Sequence, residues 1–240
     1  MFVFGGIMKC CLLIVFILFL SMSYATEIPY AQALLNEREQ VDQGFVRQRK
    51  HYNTLDAQRI SNESCERGWK FLFQDKNLPL AMNEFNKAWR FNPDNYQVYW
   101  GSGIIYSIQG EIKSLAQEKF LNQGIILLKK ALDLSNNNNR HNIALDLANA
   151  YNGLGIMMLN NENHPKAIQL FDKSQEILNS VIKEDSKNGR AHFLLSVTYF
   201  YKSDFSNAKH EAKLALNDNF KIPEKYLEKL DLNMINPASK

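Results

Sequence analysis

The stretch SNESCERGWKFLFQDKNLPLAMNEFNKAWRFNPDN, residues Ser61 to Asn95, decides the fold of this chain. In its second half, Ala81, Phe85 and Ala88 are spaced by four and three residues. This spacing places them on one stripe of a helix, and Pro93 ends that helix. The two alanines let a neighbouring helix approach closely, and the aromatic ring fills the groove between the two helices. The stretch therefore predicts a hairpin of two helices.

A second pattern recurs along the chain and marks the first helix of each hairpin. It consists of an aromatic residue, two residues, a small or aliphatic residue, a small residue, two residues and a second aromatic residue. The clearest occurrence is Tyr99, Ser102, Gly103 and Tyr106. The same pattern returns at Ala144, Leu147, Ala148 and Tyr151, and at His192, Leu195, Ser196 and Tyr199. The first hairpin carries it less purely, as Cys65, Gly68, Trp69 and Leu72. Four occurrences predict an all-α array of about four hairpins.

These segments resemble tetratricopeptide repeats, whose unit of about 34 residues has a W-x-x-L-G-x-x-Y first helix and an A-x-x-x-F second helix closed by proline. Leu72 and Tyr106 are 34 residues apart, and the second helix of the first hairpin matches the pattern. The stretch from Gly68 to Gly101 further looks like a group of exported bacterial tetratricopeptide proteins. The resemblance implies a right-handed α-α superhelix, a solenoid over residues 61–220 with hairpins at about 61–95, 96–140, 141–188 and 189–220.

The middle hairpins are longer than the family's unit. Tyr106 and Tyr151 are 45 residues apart, and Tyr151 and Tyr199 are 48 residues apart. We therefore expect extended helices there. In the second hairpin, the second helix begins either near Ala116 or in a register set by Gly124. In the third hairpin both helices are expected to be extended.

The C-terminal region predicts one more helix. Proline in Lys221-Ile-Pro-Glu suits the start of a helix, which would continue through Tyr226, Leu227 and Leu230. A repeat array must cover its open apolar end, so we interpret residues 221–235 as a capping helix. Residues 236–240 are expected to form a tail.

The first 25 residues have the pattern of a secretory signal peptide. Lys9 is followed by an apolar run from Cys10 to Leu20, and Ser23 and Ala25 are the small residues before a cleavage point. We expect cleavage after Ala25 and a periplasmic or secreted protein. The competing interpretation is an uncleaved membrane anchor, although the apolar segment is shorter than the ~20 residues that cross a bilayer. Residues 26–60 are interpreted as a partly helical lead-in.

Composition and motifs argue against several classes of function. A formal net charge of +3 gives no reason to expect a nucleic-acid partner. The five histidines do not stand at metal-ligand spacing, and no glycine-rich phosphate loop is present, so we expect no metal, cofactor or catalytic residue. His192 takes a position where the family places an aromatic ring, and Cys65 takes the equivalent position. Both are interpreted as packing residues.

The resemblance also implies a binding surface, because first helices of the family line a concave groove. Carried over by position, the groove residues are Lys70, Gln97, Trp100, Ile104, Asn149, Asn152, Arg190, Phe193 and Phe200. Some family members hold a peptide carboxylate with lysines and asparagines. Here Glu66 stands at one expected donor position, and only Lys70 and Arg190 are basic. The aromatic rings and amides instead favour an apolar or helical segment.

The sequence thus predicts an exported tetratricopeptide-like scaffold that binds a protein or peptide ligand and is not an enzyme. A first alternative is an envelope assembly factor anchored in the membrane by an uncleaved N-terminus. A second is an envelope enzyme whose site lies in the extended hairpins, where Glu111, Glu118 and Glu162 are interpreted as scattered surface carboxylates. Residues 26–60 are long enough to fold back into the groove as an internal peptide, which is an alternative to an empty groove.

Overall fold

The structure, a computed structural model, describes residues 53–111, 116–135 and 139–235. These residues contain nine helices and no strand. In chain order the helices are α1 (Thr54–Phe73), α2 (Leu78–Phe91), α3 (Tyr96–Glu111), α4 (Gln117–Leu134), α5 (Arg140–Asn160), α6 (His164–Glu184), α7 (Gly189–Tyr201), α8 (Phe205–Asn217) and α9 (Glu224–Ile235). The predicted all-α class is confirmed for this part of the chain. The predicted signal peptide, residues 26–52 of the lead-in and the tail lie outside it.

Neighbouring helices pack in pairs. The chain divides into two compact units, Met1–Gln58 and Arg59–Lys240, and the pairs belong to the second unit. The most extensive contacts join α3 to α4, α5 to α6, and α7 to α8. Contacts of α4 with α5 and of α6 with α7 join one pair to the next. Each of these pairs thus consists of helices that are consecutive in the chain.

Phe85 joins the first pair of helices to the next one. Its ring is completely buried, and the ring centroid of Trp69 on α1 lies 5.1 Å away. Glycines make room for the ring: a Cβ atom would lie 2.9 Å from it at Gly68 and 2.1 Å from it at Gly101. Because both distances are below a normal contact, α1 and α3 approach Phe85 this closely only with glycine at these positions.

Three of the turns within the pairs share one backbone geometry. Lys76, Glu162 and Ser203 have positive φ angles of 51°, 60° and 65°. The next residue in each turn caps the following helix, because its side chain accepts a hydrogen bond from a backbone N–H three residues on. These caps are Asn77, Asn163 and Asp204. A short polar sequence therefore fixes the angle at which each of these three second helices starts.

Helix lengths follow the predicted differences between hairpins. Helices α5 and α6 each have 21 residues, whereas α7 and α8 each have 13. The predicted extension of the third hairpin is confirmed. Helix α4 starts at Gln117 and has 18 residues. Its packing follows the register set by Gly124, because Gly124, Leu128 and Ala131 are buried and a Cβ atom at Gly103 would lie 2.8 Å from the Leu128 side chain.

The last helix packs against the apolar end of the final pair. Leu230 of α9 is 2% exposed and, with Ile222, joins a core cluster formed by small residues of α8. Those residues are Ala208, Ala212 and Ala215. An amphipathic helix thus buries apolar surface that would otherwise face solvent.

The two polar residues predicted to have packing roles are buried. Burial, with a smaller contribution from the neighbouring Glu66 carboxylate, raises the pKa of the Cys65 thiol to about 12. His192 is 4% exposed. Its Nδ1 lies 2.6 Å from Oε2 of Glu211, and its Nε2 lies 3.1 Å from the carbonyl oxygen of Ser186. His192 therefore fills an aromatic position and links α7 to α8 and to the preceding loop.

Candidate interaction surface

A continuous set of contacts runs across the first helices of the four pairs. On α1 and α3, the indole Nε1–H of Trp69 donates to Oε1 of Gln97 at 2.9 Å. The Trp69 and Trp100 rings meet edge to face with centroids 4.9 Å apart. On α3 and α5, the Nε1–H of Trp100 donates to Oδ2 of Asp146 at 2.6 Å. The Nη2 group of Arg190 on α7 donates to Oδ1 of the same carboxylate. We call these five residues the first-helix row.

The Asp146 carboxylate is the polar centre of the row. Its side chain is 14% exposed, and each oxygen accepts one hydrogen bond from a different helix. The Arg190 side chain remains 38% exposed. Charge-assisted hydrogen bonds from both sides hold the carboxylate in one orientation, so α3, α5 and α7 are fixed relative to one another.

An exposed aromatic surface lies at the α1 end of the row. Phe73 stacks on Trp69 with an interplanar angle of 4° and a centroid distance of 5.7 Å. Phe73 is 62% exposed, while Trp69 and Trp100 are half-buried. We call Trp69, Phe73 and Trp100 the open aromatic cluster. Both of its indole N–H groups are already hydrogen-bonded, so it offers solvent mainly apolar ring surface.

A second aromatic surface lies at the other end of the helix pairs and is covered. Phe193 packs against Phe220 and Tyr226 with centroids 5.3 and 5.6 Å away. Phe200 contacts the Tyr226 ring at 5.7 Å. The Tyr226 hydroxyl also lies 2.7 Å from Oγ of Ser196. We call Phe193, Phe200, Phe220 and Tyr226 the covered aromatic cluster.

Six of the nine predicted groove residues lie on or beside the first-helix row. Gln97, Trp100 and Arg190 belong to it directly. Ile104 and Asn149 are half-buried on α3 and α5, and Ile104 packs against the central core cluster. Lys70 is exposed and follows Trp69 in the sequence.

The other three predicted groove residues have different surroundings. Asn152 is 2% exposed, its Nδ2 donates to the Leu194 carbonyl at 3.3 Å, and its Oδ1 accepts from the Thr198 hydroxyl at 3.0 Å. It therefore joins α5 to α7 inside the protein instead of facing a partner. Phe193 and Phe200 lie in the covered aromatic cluster, because α9 packs over the face of α7 that the sequence assigned to the groove.

Sequence reasoning missed Trp69, Phe73 and Asp146. The recurring pattern assigns Trp69 to the small packing position, but Gly68 is the α1 residue that lies against Phe85, as Gly103 lies against Leu128 in the second pair. The pattern in the first hairpin is therefore shifted by one residue, which brings Trp69 to the surface beside Trp100. This shift could have been suspected from Gly68 itself, since tryptophan does not fit a close helix contact. Asp146 lies between packing positions, where no motif marks it.

Two further properties of the described residues concern metal sites and membrane spans. They contain no group of three or more His, Cys, Asp or Glu side chains arranged to hold a metal ion. No helix within these residues combines the length and apolar character that crossing a membrane requires.

The comparisons with known proteins give no family. No model of a known protein family matches the chain. A search of curated proteins also finds no match. The class that the structure supports is an all-α protein of helices packed in adjacent pairs.

Proposed function

We propose that this protein is an exported interaction scaffold, a tetratricopeptide-like solenoid whose first helices bind a protein or peptide ligand. On this proposal its helix pairs form a right-handed superhelix, and the first-helix row lies on the binding side. The predicted signal peptide directs the protein to the periplasm or outside the cell. No catalytic step is part of the proposal.

The observation that carries the proposal is the first-helix row. Side chains from four successive first helices contact one another through two tryptophans, a glutamine, a half-buried carboxylate and an arginine. Such contacts fix the positions of exposed groups before a partner arrives, which lowers the entropy cost of binding. Tryptophan and arginine are also the residues that most often dominate binding energy at interfaces.

The charges of the row favour an apolar partner over a carboxylate-bearing one. The Arg190 guanidinium is already engaged by Asp146, and Lys70 stands one turn after Glu66 on the same helix. The guanidinium therefore faces an acid of the chain itself, and Lys70 has the i, i+4 spacing from Glu66 at which such a pair can form. A carboxylate clamp would need cations without such neighbours.

The proposal is tested by capture from a native cell extract with a variant that blocks the row. Asn149 is half-buried on α5 between the Asp146 and Asn152 positions, so Asn149→Arg places a bulky charged side chain on this surface. Asn179→Arg makes the same change at an exposed position of α6 and serves as the matched control. We expect a captured protein to be retained by Asn179→Arg and lost with Asn149→Arg, with equal helicity by circular dichroism. Equal capture by both variants would contradict the proposed site.

A further inference from the structure

We propose that Tyr151 of α5, together with Lys129 of α4 and Lys173 of α6, forms a binding site for a phosphate group. The site shares no residue with the first-helix row, so this inference does not rest on the proposed function. It comes from two lysines that approach one buried tyrosine, and from a tyrosine hydroxyl to which no described residue bonds.

The tyrosine supplies the fixed part of the site. Tyr151 is 4% exposed, and its ring packs in a core cluster with Leu128 of α4 and Phe171 of α6. Its hydroxyl has no hydrogen-bond partner among the described residues, yet it is not one of the polar atoms that these residues seal from solvent. Because packing on both sides fixes the ring, an O–H donor is held at the surface, where a ligand can accept its hydrogen bond.

Two ammonium groups approach this ring from different helices. The Nζ atom of Lys129 lies 5.9 Å from the Tyr151 ring centroid, and the Nζ atom of Lys173 lies 5.7 Å from it. Both lysines are exposed, and within the described residues neither forms an ion pair. The acids one turn further along the same helices, Asp133 and Glu176, are exposed and do not bond to them. The positive charges beside the hydroxyl are therefore open to an anion.

The lysine side chains can reach the hydroxyl. At distances close to 6 Å from the ring centroid, each cation–π contact is weak. An exposed lysine also has a flexible four-carbon stem, which can turn without disturbing the helix. A ligand that bonds to the Tyr151 hydroxyl can therefore draw both ammonium groups toward it at a small cost.

The equivalent tyrosines of two other pairs have different surroundings. Tyr106, Tyr151 and Tyr199 end the recurring pattern in α3, α5 and α7. The Tyr199 hydroxyl accepts a hydrogen bond from Nε2 of Gln175 at 3.3 Å, and burial, with a smaller contribution from the Glu211 carboxylate, raises the pKa of Tyr199. Among the described contacts, lysine ammonium groups lie over the ring of Tyr151 and over neither of the other two. The cationic surroundings therefore do not follow from the recurring pattern.

A phosphate group suits the donors of this site. Each ammonium group offers three N–H donors and a positive charge, and the tyrosine adds one O–H donor. A phosphate monoester carries about −1.5 to −2 charges at neutral pH and three strong acceptor oxygens. It can therefore accept a hydrogen bond from all three side chains and neutralise both lysines. A carboxylate has only two oxygens and one charge, so it would satisfy the site in part.

The site is tested by equilibrium dialysis of the full chain against radiolabelled inorganic phosphate at neutral pH. We expect saturable binding of one phosphate per chain, with a dissociation constant of roughly 0.1–1 mM for so small a ligand. Because the two charges are exposed, this constant should increase when chloride is raised from roughly 0.05 to 0.5 M.

Four variants distinguish this site from a general attraction to positive charge. Lys129→Met and Lys173→Met keep most of the side-chain length and remove the charge, so each should weaken binding about fivefold. Tyr151→Phe keeps the ring and removes the O–H donor, and it should weaken binding about threefold. Lys183→Met removes another exposed lysine of α6 and is the matched control, which should leave binding unchanged.

Two further probes distinguish the sources of the phosphate group. Glycerol 3-phosphate represents a soluble ester, and phosphatidylcholine vesicles that contain phosphatidic acid represent a lipid headgroup. Displacement of the labelled phosphate by glycerol 3-phosphate, without sedimentation of the chain with the vesicles, supports a site for a soluble ester. Sedimentation that Lys173→Met weakens and Lys183→Met does not supports a site for a headgroup.

Three results would overturn the inference. The first is that phosphate does not bind in a saturable way. The second is that Lys183→Met weakens binding as much as Lys173→Met, because the attraction would then depend on net charge alone. The third is that Tyr151→Phe binds phosphate as tightly as the original chain, because the buried tyrosine would then not be part of the site.

Discussion

The two aromatic clusters place rings at equivalent positions of two first helices and differ in the exposure of the rings beside them. Trp100 and Phe193 occupy equivalent places on α3 and α7, and each lies in a group of packed rings. Both rings are half-buried. Phe193 packs against Phe220 and against Tyr226 of α9, whereas Trp100 packs against Trp69 of α1 and bonds to Asp146 of α5. The ring that lies mainly in solvent is Phe73 of α1, which is 62% exposed. An aromatic residue at the recurring position is therefore not by itself evidence of a surface, because a neighbouring helix packs on it in both clusters.

The largest loss of stability is expected from a substitution at Gly101, the residue that sets the position of Trp100. A Cβ atom there would lie 2.1 Å from the Phe85 ring, and Phe85 is completely buried. Gly101→Ala should therefore lower the free energy of unfolding by about 3 kcal/mol, as overpacking of a core does. Urea denaturation measures the change.

Gly153→Ala is the matched control for that change. A Cβ atom at Gly153 meets Leu121 at 3.5 Å, an ordinary contact. Because alanine has less conformational freedom to lose than glycine in a helix, the control should be stabilising by about 0.5–1 kcal/mol. A similar loss in both variants would contradict the close contact at Phe85.

The second largest loss of stability is expected when the α9 ring that packs on the covered aromatic cluster is removed. Tyr226→Ala takes away the ring that packs on Phe193 and Phe200, together with the hydrogen bond to Ser196. We expect a loss of about 2 kcal/mol in the free energy of unfolding. The uncovered rings should also bind a hydrophobic dye that the original protein does not bind. Unchanged stability and dye binding would show that α9 is not a cover.

The free energy of unfolding should also depend on pH, because two tyrosines with raised pKa lie in packed regions. One of them, Tyr226, belongs to the covered aromatic cluster. Burial raises the pKa of Tyr226 to about 12, partly opposed by the hydrogen bond to Ser196, and burial raises that of Tyr106 to about 12. The folded state therefore holds these protons more tightly than the unfolded chain, whose tyrosines titrate near pH ~10. Stability should be fully present below pH ~10 and fall as the pH rises through about 12.

The contribution of the covered cluster to this pH dependence can be isolated. Tyr226→Phe keeps the ring and removes the titrating hydroxyl. The loss of unfolding free energy between pH ~9 and ~12 should be smaller in this variant than in the original chain. An identical loss in both proteins would show that Tyr226 does not titrate differently on unfolding.

The smallest effect on stability is expected at the open cluster. Phe73 is 62% exposed. Among the ring pairs of the described residues, it contacts Trp69 alone. Phe73→Ala should change the free energy of unfolding by no more than about 0.5 kcal/mol. Thermal unfolding measures this, and a loss as large as that of Tyr226→Ala would mean that Phe73 supports the fold.

Much of the architecture could be predicted from the sequence because it depends on local spacing. The Ala81 and Phe85 stripe predicted the helix that packs on its neighbours, and the intervals between Tyr106, Tyr151 and Tyr199 predicted longer helices in the middle. The capping helix was predicted to begin at residue 221, and α9 begins at Glu224, directly after Pro223. These features depend on turn residues and on hydrophobic periodicity, which can be recognised without knowing the contacts between distant residues.

The composition of the surface could not be predicted in the same way. Phe193 and Phe200 look like groove residues until the direction in which α9 packs is known, and that direction depends on contacts between separate helices. Asn152 has the polarity of a surface residue, yet it is buried because Thr198 and the Leu194 carbonyl lie within hydrogen-bonding distance. Trp69 was misplaced by one residue, since a one-residue shift of a helix pattern moves a side chain about 100° around the helix.

The most direct test of the central claim uses a photoreactive benzoylphenylalanine in place of Phe73, and separately in place of Ile168, in the full chain in its native extract. Both positions are exposed and apolar, and only Phe73 belongs to the open aromatic cluster. We predict cross-links from position 73 to one other protein, reduced at least fivefold by Asn149→Arg, and no such product from position 168. The same cross-linked proteins from both positions, or a product from position 73 that Asn149→Arg leaves unchanged, would contradict the claim that the first-helix row binds the partner.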